Sequence, residues 1–80
     1  MNNIELNLNR VIDDLLVIIN NTKLGTDLIE YYQNLNINEI SKDLNKVNML
    51  YENIIYNRSI ILGVSIGMEG KNKLEYLYKI

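Results

Sequence analysis

The stretch from Ile37 to Met68, INEISKDLNKVNMLYENIIYNRSIILGVSIGM, decides the fold. Ile37, Leu44, Tyr51, Arg58 and Ser65 recur in it every seven residues, and so do Ile40, Val47, Ile54, Ile61 and Met68. Columns that alternate by steps of three and four form a heptad seam. The spacing predicts one long helix over about residues 37–69, roughly 50 Å at 1.5 Å per residue. Asn36, with Glu39 following at the third position, has the form of a capping box at its start, and Gly70 suits its end. From Ile54 onward Ile55, Leu62 and Ile66 add another apolar stripe, with Ile60 and Val64 beside it. A helix that is apolar on nearly all sides is buried on nearly all sides.

Upstream, Ile4, Leu8, Val11, Ile12, Leu15, Leu16, Ile18 and Ile19 fall at helical steps of three and four, opposite Glu5, Asn9, Asp13 and Asp14. They predict an amphipathic helix over about residues 4–20. Asn20, Asn21 and Thr22 break that period. Gly25 suits a left-handed turn, and Thr26 before Asp27 suits a helix start. Leu28, Ile29, Tyr31, Tyr32 and Leu35 then fit a short helix that ends in the Asn34–Asn38 stretch. After Gly70, residues 71–80 are expected to form a helical turn or two, with Leu74, Leu77, Tyr78 and Ile80 apolar.

Eighty residues make a single helical domain, 1–80, whose core alone yields only about 3–5 kcal/mol of net stability. The chain has no Cys and no His, so neither a disulfide nor the usual zinc ligands can reinforce it. The reinforcement that remains is either unusually good helix packing or another copy of the chain. Ser59, Gly63 and Gly67 stand four apart and form a small-residue column that a second backbone could approach closely. The expected oligomer interface is Ile54, Ile55, Ser59, Ile61, Leu62, Gly63, Ile66 and Gly67. The predicted architecture is all-α: two shorter helices packed on one long C-terminal helix, assembled as a helical-bundle oligomer.

Without His or Cys the common nucleophile–base pairs are missing, and no phosphate loop, nucleophile elbow or calcium loop occurs. No enzymatic activity, cofactor or metal is expected. Adjacent Asp13 and Asp14 point about 100° apart on a helix and read as a solvated face. With Asp27 and Glu30 they form a candidate acidic surface for a partner protein. Residues 1–39 hold six acids and two bases, against four acids and six bases in residues 40–80, for a total of −2. A membrane span is not expected, because the Ile60–Met68 run is far shorter than the ~20 residues a bilayer requires. The opening residues lack the form of a signal peptide, so a cytoplasmic location in a bacterial host is expected.

Arg58 lies on the seam among Ile54, Ile55, Ile61 and Leu62. A buried Arg needs an acid from another helix or copy, or an anionic ligand for its fork, whereas the commoner outcome for Arg is a structural salt bridge or a side chain that snorkels at the rim. Tyr51, Tyr56, Ser59 and Ser65 lie within two turns of it, so these five residues form a candidate ligand pocket, as in an oligomeric sponge for a nucleotide signal.

Two stretches resemble known families. INEISKDLN resembles the first helix and turn of a helix-turn-helix DNA-binding unit, with Glu39, Ile40, Ser41, Leu44 and Asn45 at the matching places. Lys46 and Val47 then run one step out of register, and the helix that would read bases, Asn48–Asn57, carries no base. An acidic chain also lacks the basic footprint of phosphate contacts, so nucleic acid is a disfavoured partner. YNRSIILGVSIGMEG, with Tyr56, Gly63 and Gly67, resembles the closing helix of small helical proteins of unknown function from Firmicutes and their phages and integrative elements. That resemblance implies a tightly packed closing helix and a mobile-element origin. Heavy use of Asn, Ile, Lys and Tyr agrees with A/T-rich coding. The leading expectation is therefore a non-enzymatic homo-oligomeric binding protein, an accessory or anti-defence factor that inhibits a host protein by covering it.

Overall fold

In a computed structural model that describes residues 2–67 and 77–80, the chain is all-helical, with α1 (Asn3–Thr22), α2 (Asp27–Gln33), α3 (Ile37–Ile40) and α4 (Leu44–Gly67). The long closing helix packs against the shorter ones, as the periodicity predicts.

The Asn2 side chain caps α1, accepting from the Glu5 amide at 2.6 Å. Leu8, Ile12, Leu15 and Ile19 form its buried stripe against the core. Each fully buried side chain of this size contributes about 1.5–3 kcal/mol. At the other end Lys23 takes a left-handed conformation (φ 61°), and its amide donates to the Ile19 carbonyl at 2.8 Å. Gly25, at φ 67°, supplies the second left-handed residue of the turn, as its sequence context predicts. Thr26 then occupies the cap position of α2 without a side-chain hydrogen bond, so Gly25 and not the threonine carries this turn.

The predicted helix over 37–69 is interrupted. Ser41–Asp43 form a turn, and α4 begins at Leu44. Local polar groups outcompete the helical ladder here. Asn36 caps α3 by accepting from Glu39 at 3.1 Å, and the Ser41 hydroxyl donates to the Asn38 carbonyl at 2.7 Å. The Asp43 carboxylate accepts from the Asn45 and Lys46 amides at 2.9 and 3.4 Å, which starts a fresh helix. The break lets α3 pack on α1 as well as on α4. Twenty-four residues of α4 at about 1.5 Å each span ~36 Å. That length accounts for the 39 Å long dimension of the molecule.

Within α4 the heptad is real, but one of its predicted columns faces outward. Val47, Ile54 and Ile61 are buried, and their partners across the seam are Leu50, Asn57 and Val64. Leu44 (69 % exposed), Arg58 and Ser65 face solvent, and Tyr51 is half-buried. Asn57 is the reason the seam is misread. A polar residue at a core position disguises the true column, and the apolar Leu44 and Tyr51 advertise the false one. Leu77–Ile80 are not helical, and the remainder of the expected closing turn, residues 71–76, lies with residues 68–70 outside the described residues.

A Cβ on Gly25 would sit 3.1 Å from Ile61 Cδ1 and 3.2 Å from Leu77 Cδ1. Left-handed backbone costs a residue with a side chain about 1–2 kcal/mol. Gly25→Ala is therefore expected to lower the unfolding free energy by at least that amount, read from the urea midpoint, whereas Gly63→Ala, where a Cβ meets nothing within 4 Å, should stabilise α4 by up to ~1 kcal/mol.

Candidate functional site

Asn53 and Asn57 stand one helical turn apart on the inner face of α4, and both have no solvent exposure. A buried amide without partners costs about 1–3 kcal/mol, so each must be satisfied. Tyr32, brought from α2 and 2 % exposed, supplies the first partner. Its hydroxyl donates to Asn53 Oδ1 and accepts from Asn57 Nδ2 at 2.7 Å. Segment 77–80 supplies the rest. The Tyr78 carbonyl accepts from Asn53 Nδ2 at 2.5 Å and from Asn57 Nδ2 at 2.8 Å, and the Tyr78 amide donates to Asn57 Oδ1 at 2.8 Å. Among the described residues no buried side-chain nitrogen or oxygen is left without a partner.

Beside this buried cluster, the Tyr31 hydroxyl donates to the Ile80 carbonyl at 2.7 Å and accepts from the Ile80 amide at 2.8 Å. Lys79 pairs with Asp27 at 3.1 Å and lies 5.9 Å from the Tyr31 ring centre. Tyr31 meets Tyr32, and Tyr56 meets Tyr78, edge to face at 5.2 and 5.9 Å. Burial pushes the Tyr32 phenol up to about 12, against a weaker downward pull from the Asn57 hydrogen bond. Burial also raises Tyr31, opposed by its bond to the Ile80 backbone. The cluster thus offers neutral donors and acceptors at physiological pH.

The residues singled out in the sequence are placed differently. Arg58, Ser59 and Ser65 are exposed, and the Ser65 hydroxyl donates to the Leu62 carbonyl of its own helix at 2.9 Å. Tyr51 accepts from Asn7 of α1 at 2.6 Å, whereas Tyr56 turns to Tyr78. Residues 56 and 58 are about 200° apart around the helix. One chain therefore does not gather Arg58, Tyr51, Tyr56, Ser59 and Ser65 into a pocket, and Arg58 is exposed because its column faces out. Ile54 and Ile61 of the expected oligomer interface are spent on the chain's own core, at 4 % and 0 % exposure. Ile55, Ser59, Gly63 and Ile66 are exposed and Leu62 is half-buried, so this part of the set remains on the outside, and Gly67 closes α4. Asp13, Asp14, Asp27 and Glu30 are exposed on α1 and α2. Asn53 and Asn57 were not legible as site residues. The available signal was two Asn four apart inside an apolar run, which reads as an inward polar pair once the seam is correctly phased.

No family model, curated protein or solved structure matches the chain. Among the described residues no helix is long and apolar enough to cross a membrane.

Tyr32→Phe removes the hydroxyl between the two amides and leaves Asn53 Oδ1 only its long 3.5 Å bond from Asn57, and is expected to cost about 1–3 kcal/mol in denaturant titration at pH 7. The raised phenol adds a pH signature. Its share of stability is complete below the ordinary value of 10 and is lost as pH rises through about 12. Wild-type stability should therefore fall across that alkaline window with a component that Tyr32→Phe lacks, measurable from the urea midpoint at stepwise pH.

Proposed function

We propose that this chain is a non-enzymatic binding protein that self-associates through the outward face of α4. The observation that carries this reading is the exposure of Ile55 and Ile66, 62 % and 82 %, on the side of α4 opposite the core. Residues 55, 59, 62 and 66 follow steps of four, three and four and so lie along one line of the helix. Leu62 stands between the isoleucines on that line, with Ser59 and Gly63 beside it. Large apolar residues flanking small ones make a surface complementary to its own copy, and burying it adds core that an 80-residue chain lacks by itself. With the assembly formed, exposed Asp13, Asp14, Asp27 and Glu30 remain free of the α4 face and provide an acidic surface for a second protein. In this reading the protein is an accessory or anti-defence factor of a phage or mobile element that inhibits a host protein by covering it. A sponge for a nucleotide signal would require Arg58, Tyr51, Tyr56, Ser59 and Ser65 to be brought together by different copies.

Light scattering coupled to size exclusion tests the association. The wild-type chain is expected at two or more times the 9.3 kDa of one copy, and the Ile55→Glu, Ile66→Glu double variant at a single copy. A wild-type chain that stays at one copy through the micromolar range would reject the reading. For the partner surface, expression in a host carrying a matching defence system should raise phage plating, and reversing Asp13, Asp14 and Glu30 to Lys should abolish the gain.

A further inference from the structure

The 77–80 segment is gripped through its main chain. Asn57 pairs with both the amide and the carbonyl of Tyr78, each at 2.8 Å, while Asn53 donates to the same carbonyl, so one side-chain amide stands where a neighbouring strand would place a peptide group. Tyr31 does the same for Ile80, taking its amide at 2.8 Å and giving to its carbonyl at 2.7 Å. The gripped residues are two apart, the period at which an extended chain presents main-chain groups to one side. Side-chain discrimination falls on Leu77, which packs on the core over Gly25, and on Lys79, paired with Asp27 at 3.1 Å. The hydrogen bonds therefore read backbone, and the side chains favour an apolar residue two positions before a base, with an aromatic between them that meets Tyr56 edge to face.

We propose that the cleft between α2 and α4 is a binding site for an extended peptide of apolar–x–basic pattern, and that segment 77–80 is its resident occupant in cis. The buried amides explain why the cleft is held filled. Asn53 and Asn57 have no exposure and take part of their hydrogen bonding from Tyr78, so an emptied cleft leaves them unpaired until water or another peptide enters. A segment of the same type on a partner protein presents the same atoms and displaces 77–80. The internal segment competes at an effective concentration in the millimolar range, which keeps the site closed to weak ligands. Unlike the α4 outer face, this surface recognises its ligand by hydrogen-bond geometry, and it operates in a single copy of the chain.

The test uses the full-length chain with Leu77→Ser and Lys79→Glu, which strips the internal segment of its side-chain anchors. A fluorescein-labelled peptide of residues 74–80 is the probe, followed by anisotropy. Saturable binding to this variant is expected, weaker by about tenfold or more for the wild-type chain because of internal competition. Adding Asn57→Asp, which replaces one of the two side-chain donors to the Tyr78 carbonyl by an acceptor that repels it, should weaken binding strongly, and adding Tyr31→Phe should weaken it severalfold. No saturable binding to the folded anchor variant, or binding indifferent to Asn57→Asp, overturns the proposal. Should the anchor variant fail to fold, amide exchange of the wild-type chain decides. The Tyr78 and Ile80 amides are expected to be protected and to exchange faster when excess unlabelled peptide is added, with α4 amides unchanged. Random-coil rates before addition, or no acceleration after it, refute the cleft.

Discussion

Two carboxamides inside an apolar helix face set the terms for much of this molecule. Asn53 and Asn57 have no solvent exposure, yet each carries donors and an acceptor that water can no longer serve. The local bond between them, Asn57 Nδ2 to Asn53 Oδ1 at 3.5 Å, is long and serves only one pair of atoms, and the ladder of α4 already uses the neighbouring backbone groups. The partners come from far along the chain: the phenol of Tyr32, and the main chain of Tyr78. Satisfying the amides therefore fixes α2 against α4 and brings the end of the described chain back across both. An apolar pair at these positions would bury as much area without dictating what lies opposite, since hydrophobic contact is non-directional. Hydrogen bonds are directional, so this pair specifies an arrangement.

The turn at Ser41–Asp43 shows a second competition, between helix continuity and local capping. A continuous helix would carry Ile37 and Ile40 past the end of α1, beyond anything that could cover them. Two polar residues of the turn, a buried serine that bonds backward to Asn38 and an aspartate that caps forward, allow the chain to fold over. Ile37 and Ile40 are then half-buried against the core. Packing of those side chains on α1 outweighs the few helical hydrogen bonds given up, which the caps partly replace.

The apolar residues of α4 fall into two groups. Val47, Leu50, Ile54 and Ile61 are internal, whereas Ile55 and Ile66 are left outside on the same helix. That division gives the chain two surfaces of different character. The outer face of α4 is apolar and suited to close packing. The α2–α4 cleft is a set of oriented polar groups, filled by the chain itself and governed by hydrogen-bond geometry.

The sequence by itself determined the helical class, the amphipathic first helix, the left-handed turn at Gly25 and the presence of a heptad seam in the closing helix, because periodicity and glycine stereochemistry act over a few neighbouring residues. It did not determine which columns of that seam face inward, since Leu44 and Tyr51 are as apolar as a core position requires and Asn57 is not. Nor did it mark Asn53 and Asn57 as a site, for an amide is worth burying only when a particular phenol and a particular backbone are in place to meet it. Those partners lie at residues 32 and 78, more than twenty positions away on either side. Only the tertiary structure brings them together, since the free energy that makes a buried polar group tolerable resides in the complete set of contacts.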